Sequence, residues 1–231
     1  MDWRKNYTKA ITFTYDDGVI YDRKFVEILN RYGLRCTFNI NTGFSSFDDP
    51  FFDEGILVSH LDVEEMVSLF QGHEVSVHTF THPDLTTLNE SEILYQIRQD
   101  QERIKQYFEV EACGMAYPFG TYNESVKKVV RESGLSYART IHSTYDFLFP
   151  KDLYEFHPTI HHNDPRLFEI IDEFLNVKSS APLVLSIWGH SYEFEAHQNW
   201  RLLEEICQRL SGHEEVFYGT NKEVLSPLFT K

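Results

Sequence analysis

Short apolar runs alternate along this chain with longer stretches whose apolar residues recur every three or four positions, a pattern that predicts strands and helices in turn. Residues 10–15 read as a strand. From Asp22 the period lengthens, with Phe25, Ile28, Leu29 and Tyr32 on one helical face and Gly33 placed to end the helix. Residues 35–40 are the next strand, so this part of the chain is a strand, helix, strand unit that implies parallel pairing. Residues 41–60 carry no such period. They form a polar and aromatic loop with Phe44, Phe47, Phe51 and Phe52, which reads as a wall of a binding cleft or equally as a cover over the core edge. Val63, Met66, Val67 and Phe70 mark a second helix closed by Gly72, and residues 74–77 a third strand. Asn89, with Glu92 three residues on, opens a third helix through a capping box and leads Ile93, Ile97, Ile104 and Phe108 onto one face. Strands follow at 112–117 and 135–140, separated by a short helix that Asn123 caps and Gly134 ends. The pattern breaks over 141–159, where 153–160 is the one candidate strand. Asp164-Pro165 then starts a helix with Leu167, Ile170, Ile171, Phe174 and Leu175 as its stripe. The most apolar strand, 183–188, a helix at 199–210 and a last strand at 215–218 complete the chain.

Seven or eight strands alternating with helices in one domain over residues 1–231 predict an α/β fold: a closed β/α barrel, which can be incomplete near 141–160. An open doubly wound sheet is the competing architecture. The barrel gains weight because Asp16, Asp17, His78, Pro118-Phe119-Gly120 and His190 all fall just beyond predicted strand ends, where such barrels place their chemistry.

Composition narrows the function classes. A net charge of −15 over 231 residues argues against wrapping a polyanion, so no nucleic-acid partner is expected. Cys36, Cys113 and Cys207 are odd in number and lack C-x-x-C spacing, which argues against a disulfide framework or a structural zinc site. The opening residues hold no apolar signal core, and no run approaches the ~20 apolar residues that span a bilayer. The expectation is a soluble, cytoplasmic protein without a membrane partner.

The candidate chemistry begins with Thr12-Phe13-Thr14-Tyr15-Asp16-Asp17-Gly18. Two adjacent carboxylates at a strand end point in different directions and can take different tasks, although Asp-Asp-Gly is also an ordinary turn. Asp17 with His78 and His82 of His78-Thr79-Phe80-Thr81-His82 makes a set of one carboxylate and two imidazoles, leaving a divalent ion, most simply Zn²⁺, a position for water. The four-residue histidine spacing also occurs in H-E-x-x-H proteases, but here the glutamate base is missing and the pair follows a strand. Asp16 is the candidate base and His190 the candidate acid. The remaining histidines, including the adjacent His161 and His162, are expected on the surface or in loops, with one of that pair as a possible lining of the cleft.

These stretches carry a resemblance. Thr14-Tyr15-Asp16-Asp17-Gly18 is similar to the T-F-D-D-G motif of the polysaccharide deacetylase family, carbohydrate esterase family 4, and His78-Thr79-Phe80-Thr81-His82 resembles its H-[ST]-x-x-H motif. The resemblance implies a distorted β/α barrel and metal-dependent removal of acetyl groups from N-acetylated sugars, with Zn²⁺, Co²⁺ or Ni²⁺ as cofactor. By position Asp16 looks like the family's base and Asp17, His78 and His82 like its metal ligands. Tyr117-Pro118-Phe119-Gly120 resembles the tail of R-x-P-[FY], which implies that the Phe119 amide faces the oxyanion, and residues 185–190 resemble the region supplying the acid, here His190. Two departures stand out. Ala116 occupies the arginine's place, and no D-x-x-D-W motif is found; Arg139, at the end of strand five, is the candidate replacement cation, with a structural salt bridge as the alternative. The implied substrate is a small molecule or oligosaccharide, with Phe80, Tyr122, Tyr145, Trp188 and Trp200 as stacking candidates. The rival readings are hydrolysis of a cyclic amide or ureide, and a carbohydrate-binding protein without catalysis.

Overall fold

The computed structural model describes residues 2–46, 50–53 and 55–229. The chain runs β1 (Lys9–Asp17), α1 (Asp22–Arg31), β2 (Cys36–Ile40), β3 (Phe51–Asp53), β4 (Ile56–Val58), α2 (Val63–Leu69), β5 (Glu74–Val77), α3 (Glu90–Phe108) and β6 (Gly114–Ala116). It continues through α4 (Glu124–Glu132), β7 (Tyr137–Arg139), β8 (Ile160–His161), α5 (Leu167–Asn176), β9 (Leu183–Gly189), α6 (Tyr192–Ala196), α7 (Trp200–Leu210), β10 (Val216–Tyr218) and α8 (Asn221–Leu225).

Eight strands share one parallel sheet in the order β7-β6-β5-β2-β1-β9-β8, with β10 beside β1. β1 is its axis: β9 follows one edge over Lys9–Tyr15, while β10 at Lys9–Ile11 and β2 at Phe13–Asp17 divide the other. Every residue of β1 and β9 is buried, as expected of parallel strands covered on both sides. The two faces nevertheless differ. Ile11, Phe13 and Tyr15 pack in the main core with Phe25 and Phe38. Thr12, Thr14 and Asp16 face a polar interior, where Thr12 donates to Asn221 at 2.9 Å and Asn39 to Thr14 at 3.0 Å. Lower in that interior, buried Glu74 accepts from Thr37 (2.8 Å), Tyr137 (3.0 Å) and the Lys222 amide (2.9 Å). The sheet therefore curls around a hydrogen-bonded centre, and helices seal its apolar outside.

The curl is an incomplete barrel of the distorted β/α kind. Between β7 and β8, residues 153–160 are not a full strand: Leu153–Glu155 is a 3-10 turn, Phe156 makes one parallel bridge to Arg139, and only Ile160–His161 pairs with β9. β1 runs two residues further than expected and contains both aspartates. The 41–60 loop holds an antiparallel ribbon, β3 against β4, which periodicity does not signal; Phe47 lies outside the described residues. The capping box of α3 and the Asn123 cap of α4 form as expected. Among the described residues no helix is long and apolar enough to cross a membrane.

Candidate functional site

At the sheet's C-terminal edge the end of β1 delivers its carboxylates in opposed directions. Asp16 turns inward, accepting from Asn39 Nδ2 at 2.8 Å and pairing with the Arg139 guanidinium. Asp17 sits at φ 82°, a conformation costly for any residue with a Cβ, and faces the cleft. Three more non-glycine residues of this edge share a positive φ: Thr79 (68°), His82 (52°) and Phe119 (57°). Strain of about 1–3 kcal/mol at each such position persists only where surrounding contacts enforce it.

Those contacts are visible around 78–82. The His78 amide donates to buried Asp100 of α3 at 3.0 Å, and Asp100 also accepts from the amide (2.9 Å) and hydroxyl (2.5 Å) of Thr42. Asn41 Nδ2 donates to the carbonyls of His78 (2.6 Å) and Thr79 (2.9 Å), and the Gly43 amide to that of Phe80 (2.8 Å). Gln96 holds the Thr81 amide at 2.9 Å. Burial raises the Asp100 carboxyl to about 7 against these hydrogen bonds.

The imidazoles so placed converge on Asp17. His78 Nδ1 lies 2.9 Å from the Ala116 carbonyl and can only donate to it, which leaves Nε2 as a lone pair. His78 Nε2 is 3.1 Å from His82 Nε2 and 3.5 Å from Asp17 Oδ1, and His82 Nε2 is 3.8 Å from the same oxygen. A tetrahedral site with bonds of ~2.0–2.1 Å needs donor separations of ~3.3 Å, so this donor set fits a divalent ion. Burial, then the neighbouring His78, lowers His82 to about 4, which keeps the ring neutral, the form in which an imidazole can bind an ion.

Beside this donor set, burial would raise the Asp16 carboxyl, but Arg139, His78 and His190 override it and hold it at about 2. His190 Nε2 stands 3.9 Å from both Asp16 and Asp17, while its Nδ1 donates to Glu193 Oε1 at 2.7 Å. Burial opposes the His190 charge, yet Glu193 and the two aspartates raise it to about 9.

The cleft over these groups has a volume of about 610 Å³. Phe44, Phe51, Asp53 and His60 of the ribbon segment line it together with Tyr192, whose ring meets Phe51 edge-on; Trp188 also lines it, with Phe119 and Ile141 at the rim. Of the stacking candidates Trp188 lines it, whereas Tyr122 packs on Tyr117 and Trp200 on Phe194. Phe80 meets Tyr95 edge-on, and Tyr145 lies under Arg166. Two of the histidines expected on the surface or in loops are buried: His60, in the cleft wall, and His162, one of the adjacent pair singled out, against Tyr15 and Glu193. His161 also reaches Glu193 and meets Trp188 edge-on. No sequence motif marks Asn39 of β2 or Asp100 of α3, which reach the site across the fold; Glu193, three residues after His190, carries a local signal.

A family profile described as polysaccharide deacetylase matches residues 4–138. Chitin deacetylase 1 of Cryptococcus neoformans is 32% identical over 65 residues, 28% of this chain and 14% of that protein. Peptidoglycan-N-acetylglucosamine deacetylase PgdA of Listeria monocytogenes is 28% identical over 129 residues, 55% of this chain and 24% of that protein. The chain thus matches only a minor part of either. A family 4 carbohydrate esterase from Streptomyces lividans, solved with acetate, superposes with TM-score 0.58 at 17% identity, covering 92% of this chain and 93% of that one. A family 4 pseudoenzyme from Bacillus anthracis superposes with TM-score 0.59 at 16% identity, covering 95% and 66%. These two likenesses are of fold.

Proposed function

The chain belongs to the polysaccharide deacetylase family, and from that premise we propose that it is a metal-dependent hydrolase removing acetyl groups from an N-acetylated amino sugar or short oligosaccharide. The observation that carries this reading is the convergence of Asp17, His78 and His82 beside an ionised, Arg-paired Asp16. Asp17, His78 and His82 would hold the ion, Zn²⁺ foremost, with Co²⁺ or Ni²⁺ as substitutes. When bound, such an ion supplies Lewis acidity, acidifying water and polarising a carbonyl.

The protein's own groups divide the remaining work. Asp16, ionised at any working pH, accepts the proton of the attacking water; Asn39 and Arg139 fix its two oxygens so that it cannot rotate away. His190 presents Nε2 to the cleft and gives a proton to the leaving amine. The Phe119 amide, turned by its positive φ, is assigned to the oxyanion. Arg139 takes the place of the cation missing at Ala116, reaching Asp16 from β7 instead of β6.

The substrate side is read from the cleft. None of its described lining residues is Lys or Arg, which suits a neutral sugar better than a phosphorylated one, and Trp188 offers the aromatic face. Acetate release from N-acetylglucosamine and its oligomers, with and without added Zn²⁺, tests the reading. Metal-dependent acetate supports it. Turnover of ureides without acetate would favour the other C–N hydrolysis, and sugar binding with no turnover would favour a binding protein.

A further inference from the structure

Glu193 is the most heavily contacted carboxylate near the cleft. It lies in α6, one turn after His190, and its Oε1 accepts from His190 Nδ1 at 2.7 Å. Oε2 accepts from Asn163 Nδ2 at 2.8 Å, with His161 Nε2 at 3.3 Å and His162 Nε2 at 3.0 Å, the last a short but poorly aligned contact.

The tautomers follow from the other ring atoms. The Asn163 amide donates to His161 Nδ1 at 3.1 Å, so the neutral ring carries its proton on Nε2, toward Glu193. The Tyr15 hydroxyl, buried and 3.1 Å from His162 Nδ1, assigns His162 the same way, since the reverse would set a lone pair against the carboxylate. All four neighbours therefore present protons to Glu193. Burial alone would favour its neutral form, and these donors hold it well below the usual carboxylate range. Such a carboxylate is fixed in charge and in place by His161 at the end of β8 and by His162 and Asn163 just after it.

We infer that Glu193, braced by His161, His162 and Asn163, is the positioning residue of His190: it keeps the proton on Nδ1 and aims Nε2 at the cleft. This rests on the reading of His190 as proton donor. Without the brace the ring is free to turn or to change tautomer, and kcat falls while substrate binding is spared. In a triad with the same logic, losing the carboxylate's charge costs about 10⁴-fold in kcat; here the part-solvated ring should lose about 10²-fold or more.

The test combines kinetics and ring ¹⁵N spectra of the full chain, with N-acetylglucosamine oligomers as the kinetic probe. Glu193→Gln should lower kcat about 10²-fold at unchanged KM, Glu193→Asp should recover part of it, and neither change should add to His190→Ala. An equal loss in the His190→Ala background, or an unchanged kcat, would overturn the positioning role. If His190→Ala leaves kcat intact, the donor reading fails instead, and the spectra then decide the pairing. Wild-type protein must show His190 protonated at Nδ1 with slow solvent exchange; an Nε2–H tautomer there overturns the inference even if no Glu193 variant folds.

Discussion

The guanidinium of Arg139 closes on the carboxylate of Asp16 from 123 residues away in sequence, with 0% and 4% of the two side chains exposed. Arg139 also donates to the Thr140 carbonyl at 3.0 Å and lies 5.0 Å from the Trp188 ring centre, so it is held from several sides. A buried pair of this kind is costly to half-remove, because the surviving charge is left without water or partner.

Arg139→Ala should therefore lower stability by about 3–5 kcal/mol and the rate on a confirmed substrate by roughly 10²-fold, through a misplaced Asp16. Arg139→Lys should recover stability better than rate, since a single ammonium cannot reproduce the planar donor geometry. Denaturant unfolding and initial rates check both. An unchanged rate in Arg139→Ala would reduce the pair to a structural salt bridge.

The parts of this architecture that were legible in the sequence are those with a local physical cause. Asn89 and Glu92 announce α3 because a capping box is a short-range bond pattern, and the alternation Thr12, Thr14, Asp16 against Phe13, Tyr15 already separates interior from core face. The donor types of Asp17, His78 and His82 group them as a candidate three-ligand set, and the resemblance implies the same set. What could not be read was long-range. The ribbon β3–β4 has three residues per strand and no period, Phe156 substitutes for a strand through a single bridge, and burial of His60 and His162 depends on elements far away in the chain.

Removing the metal should abolish turnover and lower Tm. Dialysis against a chelator, followed by Zn²⁺, Co²⁺ or Ni²⁺, should restore both, with a stabilisation of about 2.7 kcal/mol when free ion reaches 100 times Kd. Asp17→Asn, His78→Ala and His82→Ala should each weaken ion affinity by at least about 10²-fold in titration calorimetry, since each deletes one of three ligands. Wild-type protein that takes up no ion would remove the basis for hydrolysis.

His73 gives a pH dependence separate from the site. The Cys36 amide donates to its Nδ1 at 3.1 Å and Asn30 Oδ1 lies 3.1 Å from Nε2; burial, then Arg35, lowers it to about 4. Above about pH 6.5 the ring is neutral in folded and unfolded chains alike. As pH falls from 6.5 toward 4 only the unfolded chain takes up the proton, so the contribution is lost in that window. It amounts to about 1–2 kcal/mol once partial exposure is allowed for. The Tm advantage of wild type over His73→Gln should shrink by roughly 2–8 °C between pH 7.5 and 5; a constant gap would refute the assignment.

Gly43, in the loop after β2, ties that loop to the segment carrying His78 and His82. A Cβ there would lie 2.2 Å from the Phe80 carbonyl oxygen and 2.9 Å from its carbon, both backbone atoms that cannot swing aside. Gly43→Ala must then break the 2.8 Å bond from the Gly43 amide to Phe80 and push the 78–82 segment away from Asp17. Ion affinity should fall about 10-fold or more, as when a group supporting a ligand is lost. Gly33→Ala is the control: its Cβ would meet nothing within 4 Å, but φ is +66°, so it should cost about 1 kcal/mol of stability and leave ion binding alone. Equal ion affinity in Gly43→Ala and wild type would mean that 78–82 keeps its shape without the loop, and the strain at Thr79 and His82 would need another support.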